Sequence, residues 1–202
     1  MRRTKDNAEE TRYTLLKTAV EVFNKKGFSA TRLEDIATAA GVTRGAIYHH
    51  FGNKVELYKA IAIENKNIVN KETNKIFEAN EDDPINAIIS SFRMILNKLV
   101  NDSFFRDFEQ LLFKTPLLDE LKDVNNQFKD EIKEAIDKIA ESFKKGKEKK
   151  VIRENADPEA FAVSLISMYL GFIYMSMINN DLLTKKNIDA ICDSLLIVLK
   201  KE

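Results

Sequence analysis

Within TRLEDIATAAGVTRGAIYHHF, residues 31–51, the side chains able to do chemistry are Arg44, Tyr48 and His49 in the run RGAIYHHF. Ile47 and Phe51, four apart, define a buried helical face, so those three turn outward with a guanidinium, a phenol and an imidazole. A planar guanidinium fork matches guanine O6 and N7, which makes Arg44 the residue for direct base reading in a major groove. Gly45 lacks a side chain and lets such a helix lie close to the groove floor. Tyr48 and His49 can each meet a phosphate oxygen or a thymine methyl. The neighbours His49 and His50 point about 100° apart on a helix and cannot share a metal. His50 is expected beside Phe51 instead.

These residues need a rigid mount, and the flanking sequence supplies one. Thr31 followed by Glu34 has the spacing of a capping box, starting a helix with Leu33, Ile36, Ala37 and Ala40 inward. Gly41 stops it, because a glycine can take the left-handed conformation a sharp turn demands, and Val42 plugs the angle. Thr43 caps the second helix. The pattern is a helix-turn-helix, held by a first helix whose stripe is Leu15, Leu16, Ala19, Val20 and Phe23. Helix starts at Leu33, Arg44 and Lys54 offer backbone amides to phosphate, which places Thr31, Arg32, Thr43 and Lys54 as backbone contacts. Arg2, Arg3 and Lys5 form a short basic arm suited to a minor groove.

The stretch LEDIATAAGVTRGAIYHHFGNKVELY resembles the DNA-binding signature of the TetR family of bacterial regulators, and the likeness continues upstream through TRYTLLKTAVEVFNKKGF. The opening RRTK with AEETR is similar to the AcrR branch, which controls multidrug efflux pumps. FEQLLFK and the helix expected after Pro116 look like AcrR-type ligand domains. His49 departs from the pattern, since many AcrR-like sequences carry tryptophan there and this chain has none. The resemblance implies an all-α fold: a three-helix DNA-binding domain over residues 1–53 and a helical effector-binding and dimerisation domain over 54–202. It also implies a phosphate contact for Tyr48, and a repressor that a lipophilic small molecule releases from its operator.

The 202 residues are 44% hydrophobic with a formal net charge of zero, enough for one sizeable core or two small ones. The charge is unevenly spread: residues 1–54 carry ten bases against six acids, so the remainder is net acidic. A basic module on an acidic one suits a protein that meets phosphates with one end only. The single cysteine, Cys192, excludes an intrachain disulfide and agrees with a cytoplasmic location. No secretory signal is expected in the charged first twenty residues. The uncharged stretch Ala160 to Asn180 has bilayer-spanning length, yet its serines, tyrosines and glycine and its lack of close basic flanks favour a helix buried in protein, with no membrane partner.

The prolines Pro84, Pro116 and Pro158 each follow a capping residue, as at a first helical position. Nine helices are expected, near 7–26, 33–40, 44–51, 54–79, 84–100, 103–114, 116–146, 158–179 and 185–201. Asn53 and Glu56 cap the fourth, the expected connector between domains.

The C-terminal half has no histidine, no triad and no reactive cysteine setting, so an enzyme is not expected, and no metal or cofactor is called for. Its surplus of phenylalanine and methionine suits both a core and an adaptable apolar pocket. On the helices that surround ligand in similar regulators, Phe92, Phe108, Met168, Phe172 and Met175 are the expected effector contacts. The helix after Pro158 carries a second apolar stripe, Val163, Ile166, Leu170, Ile173 and Met177. With Ile188, Ile191 and Leu195 of the last helix it is expected to form a homodimer on an inverted-repeat DNA operator. The alternative is a DNA-binding or architectural protein of the same fold that answers to no ligand.

Overall fold

The computed structural model describes residues 2–115, 118–179, 181 and 183–199, with side chains from Ala8 onward. The described residues form nine α-helices and one 3₁₀ turn, with no strand element: α1 (Arg2–Lys26), α2 (Leu33–Ala39), α3 (Arg44–Phe51), α4 (Lys54–Ala79), α5 (Pro84–Asn101), α6 (Ser103–Lys114), the 3₁₀ turn (Asp119–Leu121), α7 (Lys122–Glu148), α8 (Pro158–Ile178) and α9 (Lys185–Leu199). The all-α expectation holds.

Helix starts follow local chemistry. Asp83 accepts from the Asn86 N–H at 3.0 Å and Asp157 from the Ala160 N–H at 2.7 Å, each with proline next in line. Asn53 Oδ1 accepts from the Glu56 N–H at 2.9 Å, so α4 begins where expected. The helix expected from Pro116 does not run that way. Pro116 lies outside the described residues, Leu118 is extended, and α7 begins only at Lys122 after the 3₁₀ turn. Leu121 and Val124 are buried there, anchoring the new start. The basic arm Arg2, Arg3 and Lys5 sits in α1, its side chains outside the described residues, as are residues 200 and 201 at the expected end of α9.

The chain divides into two compact units. One takes residues up to Lys66 together with Asp107–Lys122; the other takes Asn67–Arg106 and residues from Asp123 onward. Two of the three boundaries fall inside α4 and α6, and the third at the first residue of α7.

In the first unit α1 packs on α2 and α2 on α3. Leu15, Leu16, Ala19, Val20 and Phe23 of α1 are buried as the stripe required, with Leu33, Ile36, Ala37, Ile47, Phe51, Leu57 and Ile61. Phe23, Phe28 and Tyr58 form an aromatic trio with centroids 5.1–6.3 Å apart. Two buried polar pairs complete it: Tyr58 Oη with Thr115 Oγ1 at 2.6 Å, and Asn65 Nδ2 donating to Glu109 Oε1 at 2.7 Å. Burial pushes the Tyr58 phenol up to about 12.

In the second unit α5 packs on α9 and α8. Ile85, Ile88, Ile89, Phe92, Leu96, Phe143, Leu165, Ile188 and Cys192 are buried together, beside a smaller cluster of Leu99, Phe105, Ile173 and Leu183. Arg93 fastens α5 to α9 through Asp189 at 2.8 Å and Asp193 at 2.6 Å. Among the described residues α8 alone is long and apolar enough to cross a bilayer. Its Ala162, Leu165, Ile173 and Ser176 are buried within this unit, but the expectation of a helix buried all round is not met, since Val163, Tyr174, Met175 and Ile178 are exposed and most of the remainder is half-buried.

Candidate functional site

The outward face of α3 is built by the turn before it. Gly41 has φ +67°, the left-handed value expected, and the Val42 N–H donates to the Ala37 carbonyl at 3.0 Å. Thr43 then caps α3, its Oγ1 accepting from the Ala46 N–H at 3.2 Å. Ile47 and Phe51 are buried, while Arg44, Gly45, Tyr48 and His49 are exposed together. Arg44 is 72% exposed. A Cβ at Gly45 would meet only Thr43 Oγ1 at 3.9 Å, so this surface is open.

One carboxylate organises the exposed residues. Glu34 Oε1 accepts from the Tyr48 hydroxyl at 3.1 Å and pairs with Arg44 Nε at 3.0 Å, and the Arg44 guanidinium lies 5.3 Å from the Tyr48 ring centre. Its own backbone N–H, then Tyr48 and Arg44, hold the Glu34 carboxyl below the usual range. Glu34 escaped the sequence reading because it was assigned to a capping box.

That box is shifted by one residue. Arg32 is the N-cap of α2, and its N–H donates to Asp35 Oδ2 at 3.0 Å. Thr31 is only 2% exposed, and its hydroxyl donates to the Gly27 carbonyl at 2.7 Å, an acceptor left open at the end of α1. Thr31 is therefore corrected from a phosphate contact to an internal strut. Arg32 remains exposed. Asp35 also pairs with Lys26 at 3.0 Å, and the Arg32 N–H, then Lys26, holds its carboxyl low.

Lys54 is the second correction. Its Nζ donates to the carbonyls of Phe28 at 2.9 Å and Ser29 at 3.3 Å, lies 4.4 Å from the Phe28 ring centre, and faces Glu120 at 3.7 Å. The ammonium is used inside the unit, which leaves only the start of α4 for a phosphate. His50 is half-buried with its ring 5.9 Å from Phe51, and burial lowers its pKa.

The expected effector residues divide. Phe92 is buried, with Met168 and Phe172 packed against the same cluster and the Phe92 and Phe172 rings 6.5 Å apart. Phe172 and Met175 line a cleft of about 510 Å³ with Leu183, Asn187, Ile188, Ala190 and Ile191. Phe108 is 1% exposed and falls in the first compact unit, with Asp107–Lys122.

The expected dimer residues also divide. Val163 is exposed, and Ile166, Leu170, Met177, Ile191 and Leu195 are half-buried. Ile173 and Ile188 are corrected, being buried in the core of their own chain. The apolar side chains left most exposed on these helices include Tyr174 and Ile178 of α8 and Ile197 and Val198 of α9.

Residues 15–61 match the family model described as bacterial regulatory proteins, tetR family. The chain is 35% identical over 129 residues to the HTH-type transcriptional regulator TtgR of Pseudomonas putida, covering 63% of this chain and 61% of TtgR, so the match spans about three fifths of that relative. It is 33% identical over 146 residues to the HTH-type transcriptional regulator AcrR of Shigella flexneri, covering 71% of this chain and 67% of AcrR. The fold is similar to that of SmeT solved with triclosan, at TM-score 0.81 and 24% identity over 96% of this chain and 93% of that one. SmeT is described as the repressor of the Stenotrophomonas maltophilia multidrug efflux pump SmeDEF.

Proposed function

This chain belongs to the tetR family of bacterial regulatory proteins, and from that premise we propose that it is a ligand-responsive DNA-binding repressor of multidrug efflux genes. The observation that carries the reading is the exposed set on α3, with Arg44, Tyr48 and His49 held outward beside bare Gly45 by the Gly41 turn and the Thr43 cap. Arg44 reads a base, Tyr48 and Thr43 contact phosphate, and Arg32 and His49 flank them. The role is regulatory rather than catalytic, and it is exercised in the cytoplasm.

A second copy completes the reader. Val163, Tyr174, Ile178, Ile197 and Val198 leave apolar area on α8 and α9 uncovered, and a two-fold pairing through them buries it. Two recognition helices then meet an inverted repeat in successive major grooves, about 34 Å apart or a multiple of it. A lipophilic effector binds the second unit at Phe92, Met168, Phe172 and Met175 and favours a state with weaker operator affinity. It can shift the equilibrium only by its differential affinity for the two states.

The test is selection of duplexes from a random library by the purified protein, followed by titration of the enriched duplex with and without triclosan and other apolar compounds. The reading expects an inverted repeat bound far more tightly than random duplex, with affinity falling as compound is added. Enrichment of no sequence overturns the reader. An enriched repeat indifferent to every compound leaves the ligand-independent alternative standing.

A further inference from the structure

Resting on the reading of α3 as the base-reading helix, we propose that Glu34 is a positioning residue for DNA recognition, aiming Arg44 and Tyr48 and discriminating against indiscriminate phosphate contact. Glu34 is the second residue of α2, where the helix dipole favours a carboxylate. Its Oε1 receives both the Tyr48 hydroxyl at 3.1 Å and Arg44 Nε at 3.0 Å. The third side of the triangle is the guanidinium beside the Tyr48 ring. Because the grip is on Nε, the terminal Nη pair forms the outer edge of the fork, the edge two acceptors of a guanine can use.

The arrangement separates two kinds of DNA. An enriched sequence presents base acceptors to the outer edge of Arg44 while Glu34 keeps its hold. A random duplex offers Arg44 chiefly phosphate, and reaching for it pulls the guanidinium off Glu34, leaving a bare carboxylate close to the phosphates. Like charges within a Debye length of about 8–10 Å repel, so that encounter is weakened selectively. Neighbouring Asp35 does not share the role, since it is committed to Lys26 and the Arg32 N–H.

The experiment compares wild type, Glu34→Gln and Glu34→Ala by fluorescence anisotropy on a random-sequence duplex and on the duplex that wild type enriches from a library. Glu34→Ala is expected to bind the random duplex about three- to tenfold more tightly and to lower the ratio of enriched to random affinity at least about threefold. Glu34→Gln, isosteric and still an acceptor, is expected between the two. In an Arg44→Ala background the Glu34→Ala change should leave the ratio within about twofold. Circular dichroism and melting confirm that each variant is folded, and Glu34→Gln serves if Glu34→Ala is not. An unchanged ratio in folded Glu34 variants overturns the proposal. So does an equal shift with and without Arg44, which would make Glu34 a generic surface charge. If wild type enriches no sequence at all, the reading of α3 has failed before any Glu34 variant is made, and this proposal falls with it.

Discussion

Lys54 is a basic residue at the start of a helix, a position that suggests phosphate, yet its ammonium ends on the Phe28 and Ser29 carbonyls. Lys54→Met is therefore expected to lower stability by about 1 kcal/mol in urea titration while leaving the salt dependence of random-duplex binding unchanged. Arg44→Ala should do the reverse. It is expected to cost about 1–3 kcal/mol on the enriched duplex and to relax one base position, read by titrating single-base variants, with the melting curve little altered. His50 gives a pH signature. Burial, then the charges of His49 and Arg12, lowers its pKa from 6.5. The folded state thus favours the neutral ring, its contribution is complete above the unfolded value, and it is lost as pH falls through the lowered folded one. Melting temperature should drop more between about pH 7.5 and about pH 5.5 in wild type than in His50→Gln.

At the scale of elements, the turn between α2 and α3 rests on one dihedral. Nothing lies within 4 Å of a Cβ built at Gly41, so Gly41→Ala meets no clash and suffers only its φ of +67°. The expected loss is about 1–2 kcal/mol, seen as a lower urea midpoint. The helices were legible because their punctuation is local: Gly41, Thr43, Asn53, Asp83 and Asp157 each act within three or four residues of chain. The start of α2 was misread because Thr31–Glu34 and Arg32–Asp35 have equal spacing, and what decided between them was the Gly27 carbonyl claiming the Thr31 hydroxyl. The start of α7 was misread because an extended Leu118 and a 3₁₀ turn leave no signal as strong as a proline. On α8, apolar residues all round hide which stripe is core. Only packing shows Ile173 buried and Tyr174 exposed.

For the whole molecule, the uncovered apolar area on α8 and α9 predicts different fates for neighbouring isoleucines. Ile197 is 73% exposed and Ile188 is 1% exposed. Ile197→Glu is expected to give folded monomers in sedimentation velocity that bind a half-site but have lost the affinity for a full repeat. Ile188→Glu should unfold the second unit, since a lone carboxylate cannot be accommodated in that core. The partition of the chain carries one more consequence. The reading unit draws Thr115 and Glu109 from far downstream to satisfy Tyr58 and Asn65. A nascent polypeptide cut short after Lys66 would leave Tyr58 and Asn65 facing water and the core around them uncovered, so this unit is expected to close only after roughly the first 120 residues have emerged. A truncated gene product would accordingly be a poor competitor for the operator, and proteolysis rather than dominance over the intact protein would be its fate.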